Sequence, residues 1–254
     1  MLQWLKKIKS PFPMQFKWIL IVVSFFISIH TKAQFVGGQL IPIVDPLVYC
    51  GSSGPTIIVD VINPVTGKTW MDRNLGATQV ATSRTDTNAL GDLYQWGRGN
   101  DGHQCRNSPI SNVLSSSDQP GNNMFILAPN TPFDWRNPQN INLWQGVNGI
   151  NNPCPGGYRL PTDSELNSER LSWVQAPINS NNTSVGAFAS PLKLTMAGSR
   201  SNNNGATSGI GSFGAYWSSV IITTSSRYLY FSNSFANLVT NYRGFGFSVR
   251  CIKN

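Results

Sequence analysis

Charge is scarce in this chain: 12% of its 254 residues are Asp, Glu, Lys or Arg, and histidine occurs twice, at His30 and His103. That shortage excludes several chemistries. A structural zinc site wants four ligands; His103 and Cys105 supply two, and no second His or Cys-x-x-Cys spacing follows, so His103 reads as a turn histidine. A serine hydrolase needs a base beside its nucleophile, yet no Gly-x-Ser-x-Gly elbow occurs; Gly211-Ser212-Phe213-Gly214 misses the pattern by one position. Glutamate appears as Glu165 and Glu169 alone, with nine aspartates. Glycoside hydrolysis takes two carboxylates across the bond, and nothing in the sequence pairs Asp72, Asp92 or Asp134. Long apolar runs are missing too: residues 18–29 are twelve, broken by Ser24 and Ser28, against the roughly 20 that span a bilayer.

That short run has the other marks of a secretory signal, with Lys17 before it and Thr31-Lys32-Ala33 after it. The expected organisation is a signal peptide over residues 1–33, a lead-in over 34–55 and one domain over 56–254. It implies a secreted or cell-surface protein with no stable membrane anchor once the signal is cleaved. Five of the nineteen basic residues (Lys6, Lys7, Lys9, Lys17, Lys32) and none of the eleven acids lie in the signal, so the formal +8 falls to fourteen against eleven, a net +3. So weak a field, from singly scattered arginines, excludes a nucleic-acid groove. Four cysteines in an exported protein read as two disulfides, and spacing leaves three pairings open.

What is abundant is neutral and polar: Asn, Ser, Gly and Thr, which favour turns and short strands over long helices. Residues 57–62 and 68–71 predict a hairpin about Pro64-Val65-Thr66-Gly67. Residues 89–96 space Leu90, Leu93, Tyr94 and Trp96 compatibly with a short helix, weakened by Gly91. Residues 100–152, broken by five prolines, predict a long irregular segment pinned by Trp135 and Trp144. Thr162 and Glu165 form a capping box, so a helix starts at Asp163 and runs to about Trp173, burying Leu166, the Arg170 stem and Trp173. Strands follow over 192–197, 216–222, 227–231 and 245–252. The alternation of Tyr228, Tyr230 and Ser232 against Leu229 and Phe231 marks a strand with both faces in use. The fold class is α+β.

Five motifs stand in order: Thr69-Trp70-Met71-Asp72-Arg73-Asn74-Leu75-Gly76-Ala77, Gly91-Asp92-Leu93-Tyr94-Gln95-Trp96-Gly97-Arg98, Cys154-Pro155-Gly156-Gly157-Tyr158-Arg159-Leu160-Pro161-Thr162, Tyr216-Trp217-Ser218-Ser219 and Ser248-Val249-Arg250-Cys251. Together they resemble the Fibrobacter succinogenes major paralogous domain family of Bacteroidetes-type exported proteins. The resemblance implies a C-type-lectin-like fold, shared with formylglycine-generating enzymes, that is loop-rich and disulfide-stapled. It also implies the pairing Cys154 with Cys251, which leaves Cys50 with Cys105. No activity comes with it, since one scaffold hosts many sites. Formylglycine-generating enzymes bind copper through a late cysteine pair, whereas Cys251 stands alone. True C-type lectins hold calcium with a Glu-Pro-Asn or Gln-Pro-Asp loop and a Trp-Asn-Asp strand, neither of which occurs. Calcium held by Asn-rich loops is the one cofactor left in view.

The ligand loop of a lectin-like fold falls at residues 198–214. Arg200, Asn202, Asn203 and Asn204, beside Tyr216 and Trp217, offer amides, a guanidinium fork and aromatic faces suited to sugars or peptide surfaces. The expected function is a non-catalytic binding or adhesion module with a glycan or a surface protein as partner. Its rivals are a polysaccharide-acting hydrolase and a structural component of a surface layer or filament.

Overall fold

The computed structural model describes residues 33–36, 39–42, 48–50 and 54–254. Apart from Ala33, the signal-peptide reading of residues 1–33 lies outside the described residues. In the first of two units, Met1–Pro46, the described residues are β1 (Ala33–Val36) and β2 (Gln39–Pro42), which pair antiparallel.

The second unit, Leu47–Asn254, holds the remaining elements. In chain order these are β3 (Asp60–Ile62), β4 (Thr69–Met71), β5 (Tyr94–Gln95), β6 (Ile110–Ser111), β7 (Phe125–Ile126), β8 (Tyr158–Arg159), α1 (Asp163–Ser172), α2 (Ser184–Ala189), β9 (Ser199–Arg200) and β10 (Thr207–Ser208). There follow β11 (Phe213–Ile222), β12 (Ser225–Ser232), β13 (Ala236–Tyr242), β14 (Gly246–Phe247) and β15 (Ile252–Lys253). The longest sheet is the antiparallel meander β11-β12-β13; two four-stranded sheets run β3-β4-β15-β8 and β10-β9-β14-β5, and β6 pairs parallel with β7. This is a disulfide-stapled α+β fold, with Cys50 bonded to Cys105 and Cys154 to Cys251, the pairing that the family resemblance implies.

α1 begins as its sequence dictates. The Thr162 hydroxyl accepts from the Glu165 amide at 3.2 Å, the Glu165 carboxylate accepts from the Thr162 amide at 2.8 Å, and Arg159 clasps the same carboxylate with two 2.8 Å bonds. Leu166 and Trp173 pack with Tyr216, Leu229 and Phe231 on one face of the meander. On the other face Trp217 joins a second cluster with Trp96, Trp135 and Trp144. Both faces of the meander are therefore in use, as the β12 pattern predicts: β11 is buried on both, while Tyr228 and Tyr230 on β12 are half-buried opposite the buried Leu229 and Phe231.

Three local expectations change. Residues 89–96 are not helical: a 3-10 turn at Thr87–Ala89 leads into β5. Gly91 has φ +68°, and a Cβ there would lie 2.4 Å from the Leu75 carbonyl oxygen. That carbonyl takes the Asp92 amide at 2.9 Å, a donor that a helix would have used internally. Residues 192–197 join no sheet: Lys193 sits at φ +51°, and the amides go elsewhere, Leu194 to Ala187 O, Thr195 to the Tyr216 hydroxyl, Met196 to Arg84 O. Residues 245–252 split into β14 and β15, which serve different sheets. Neither α2 nor β13 was expected from the sequence.

Candidate functional site

Four of the six residues expected to form a ligand loop are internal. Arg200 is 3% exposed; its guanidinium donates to Gly205 O (2.8 Å), Cys105 O (2.9 Å) and both Ser108 oxygens, and lies over the Phe125 ring. Burial pulls its pKa down to about 10. Asn202 donates to Ala128 O at 2.8 Å, Tyr216 OH to Thr195 O at 2.9 Å, and Trp217 Nε1 to Tyr94 O at 2.8 Å, all from buried positions. These side chains staple loops together and have no free face for a ligand. Asn203 and Asn204 are exposed, and the Asn204 side chain takes the Ala206 amide in a turn.

His103 is likewise internal. Its Nδ1 lies 2.5 Å from Asp101 Oδ1, and Nε2 accepts from the Gln95 amide at 3.0 Å. An Nε2 that accepts carries no proton, so the ring is neutral, and burial holds its pKa down to about 4. Among the described residues no group of three or more His, Cys, Asp or Glu could hold a metal ion.

The carboxylates sort by partner. Glu165 caps α1. Glu169, 0% exposed, is locked by Asn63 (2.6 Å), Trp173 Nε1 (3.0 Å) and Ser190 (2.5 Å). Asp72 is held by Arg73, and Asp134 by Gln139 and Arg243. Asp92 differs. It is 6% exposed, and among the described residues nothing donates a hydrogen bond to its carboxylate. Burial pushes its pKa up to about 7, with the Arg106 charge pulling against that rise.

Asp92 faces a cavity of about 250 Å³ whose walls include Val48, Tyr49, Ile57, Leu75 and Ala77. A second cavity, of about 280 Å³, shares Cys50, Gly76, Thr78 and Asp92 with the first and adds Arg106. Two glycines set the carboxylate there. Gly91 allows the close approach to Leu75, and Gly76, at φ +79°, leaves the space that the carboxyl fills, since a Cβ would lie 2.2 Å from Asp92 Cγ. The rim is strapped down: Cys50 is bonded to Cys105, Val48 N donates to Asn100 O at 2.9 Å, and Gln104 Nε2 donates to Val48 O at 2.8 Å. The sequence placed Asp92 among three unpaired aspartates. What singles it out is an acid between Gly91 and the apolar Leu93-Tyr94, within a motif that is otherwise core.

Comparison with family models, with curated proteins and with solved structures finds no match for this chain.

Proposed function

We propose that the protein is an exported, non-catalytic binding or adhesion module of the Fibrobacter succinogenes major paralogous type, on a lectin-like scaffold, which takes a glycan or surface protein through the cavity at Asp92. The cavity carries this reading: a pocket with apolar walls and one convergent polar group is the usual form of a binding site. Two disulfides suit an oxidising compartment, and among the described residues no helix is long and apolar enough to cross a membrane.

One observation favours the hydrolase instead: a carboxyl with a pKa near 7 is poised as a general acid. Such an enzyme also needs a second carboxylate across the bond, and among the described lining residues Asp92 is the sole acid.

The test is the oxidised protein on a glycan array and on a panel of purified surface proteins, beside Asp92→Asn. Binding that the substitution abolishes, with an unchanged circular dichroism spectrum, is the expected result. Release of reducing sugar from a polysaccharide, lost with Asp92→Asn, would establish the hydrolase in its place.

A further inference from the structure

The lining of the Asp92 cavity restricts what it can hold. Val48, Ile57, Ile58, Leu75 and Ala77 make much of it apolar, and no Lys, Arg or His stands among its described lining residues. Arg106 lies on the wall of the second cavity, with its guanidinium committed to Gly91 O (2.8 Å) and Ala197 O (3.1 Å). Several other polar side chains of the first cavity are committed. Thr56 Oγ1 accepts from Gly76 N (2.7 Å), and Tyr94 OH donates to Asn100 Oδ1 (2.7 Å). Gln104 Nε2 donates to Val48 O (2.8 Å), and Asn152 Nδ2 to Tyr158 O (2.9 Å). Among the described residues nothing donates to the Asp92 carboxylate, which is 6% exposed in a largely apolar surround, so a donor brought by a ligand would stabilise its charge.

We propose that this cavity binds a primary ammonium group on an apolar stem, the chemistry of a lysine side chain on a partner protein, with Asp92 as its counter-ion. The inference rests on the reading of the cavity as a binding site. An ammonium group brings three donors and the charge that a buried carboxylate lacks, while its methylene stem covers the apolar walls. A sugar ring suits the cavity less well, because each of its hydroxyls needs a partner and several of the lining polar groups are occupied. A calcium ion needs six or more oxygens. The charged group that bears on Asp92 is Arg106, which opposes the rise of its pKa, and Asp92 in turn helps to raise the pKa of the Tyr94 phenol on the same wall. Occupation by a cation ionises Asp92 and releases its proton, so affinity rises as the pH is taken from 6 to 8.

The oxidised protein is titrated with n-butylammonium and with Nα-acetyl-lysine methylamide, beside n-butanol and glucosamine, by calorimetry and by the carboxyl carbon resonance of Asp92. Both stemmed ammonium ions are expected to bind about tenfold or more tightly than n-butanol, and Asp92→Asn to lose that margin. In the unaltered protein the apparent pKa of Asp92 falls on saturation, a readout that survives should the variant not fold. Equal binding of n-butanol, or an Asp92 resonance that does not move, overturns the ammonium assignment and leaves a binding cavity in place. Preference for glucosamine assigns the cavity to amino sugars instead. If none of the four probes binds while the glycan array or surface-protein panel responds, the ammonium inference alone is lost; silence in all assays removes both readings.

Discussion

In the meander β11-β12-β13 backbone pairs with backbone, from Phe213 opposite Ser232 to Ser225 opposite Tyr242. Residues 100–152 contain only the two-residue pair β6-β7 among named strands, and much of their backbone is met by side chains. Arg98 donates to Met124 O (2.8 Å) and Gln95 to Ile126 O (2.7 Å). Asn151 donates to Gly97 O (2.9 Å) and Asp118 O (2.6 Å). Trp135 Nε1 donates to Trp96 O (2.7 Å), and Trp144 Nε1 to Arg98 O (3.1 Å) and Asn151 O (2.9 Å). Buried peptide groups must be paired by some means. A ladder lets any suitable side chain stand at a given position, whereas a side-chain staple depends on one residue type with one reach. The irregular segment should therefore be the less tolerant of substitution, though it looks the looser.

The largest effect is expected where the chain just after that segment is tied to the strand region near β15. Removing the Cys154–Cys251 bond, which closes 97 residues, through paired Ser substitutions should cost about 4–5 kcal/mol in the chain-entropy account. Urea denaturation measures it, and a loss under about 1 kcal/mol would show that the unfolded chain gains little freedom there. The same arginine chemistry can then be compared in the two regions. Arg98→Met should cost roughly 3 kcal/mol or more, because it takes the cation from Asp101 and the donor from several carbonyls. Arg227→Met on β12, whose pair with Asp163 is 3.4 Å long and a third exposed, should stay within about 1 kcal/mol. Similar losses for both would erase the contrast.

Acid should separate the regions next. The folded-state pKa of His103 lies near 4, below its ordinary 6.5. The unfolded chain therefore takes up the proton first, and stability present above pH 6.5 is lost as pH falls through 4, on the order of 3 kcal/mol for this group. Hydrogen exchange at pH 4.5 should show amides near Gln95 and His103 losing protection before those of β12; simultaneous loss would mean that they open as one unit. The smallest comparison sets Asn151→Ala, at about 1–3 kcal/mol, against Thr240→Ala on the edge strand β13, at no more than about 1 kcal/mol. Thermal melts of the two variants side by side decide it.

This division also governs what could be read from residue order. The capping box, the β3-β4 turn and the two-faced β12 are patterns within a few residues, and each appears where the sequence puts it. The disulfide pairing came through the family resemblance, not through spacing. Arg200 misled because a lone Arg beside three asparagines looks like an exposed ligand loop. Its partners, Cys105 and Ser108, lie more than ninety positions away. Residues 89–96 misled in the same way: their apolar spacing suits a helix, but the Leu75 carbonyl claims the Asp92 amide.

Sequence alone thus determined the α+β class, the helix start at Thr162 and Glu165 and the strand character of the C-terminal third. These follow from backbone geometry over one or two turns or pleats. The tertiary structure decided which polar groups are spent and which remain: Arg200, Asn202, Tyr216 and Trp217 went inside as staples, and Asp92 was left facing a cavity. The fate of a polar side chain depends on whether a distant segment brings it a partner, and no local pattern records that.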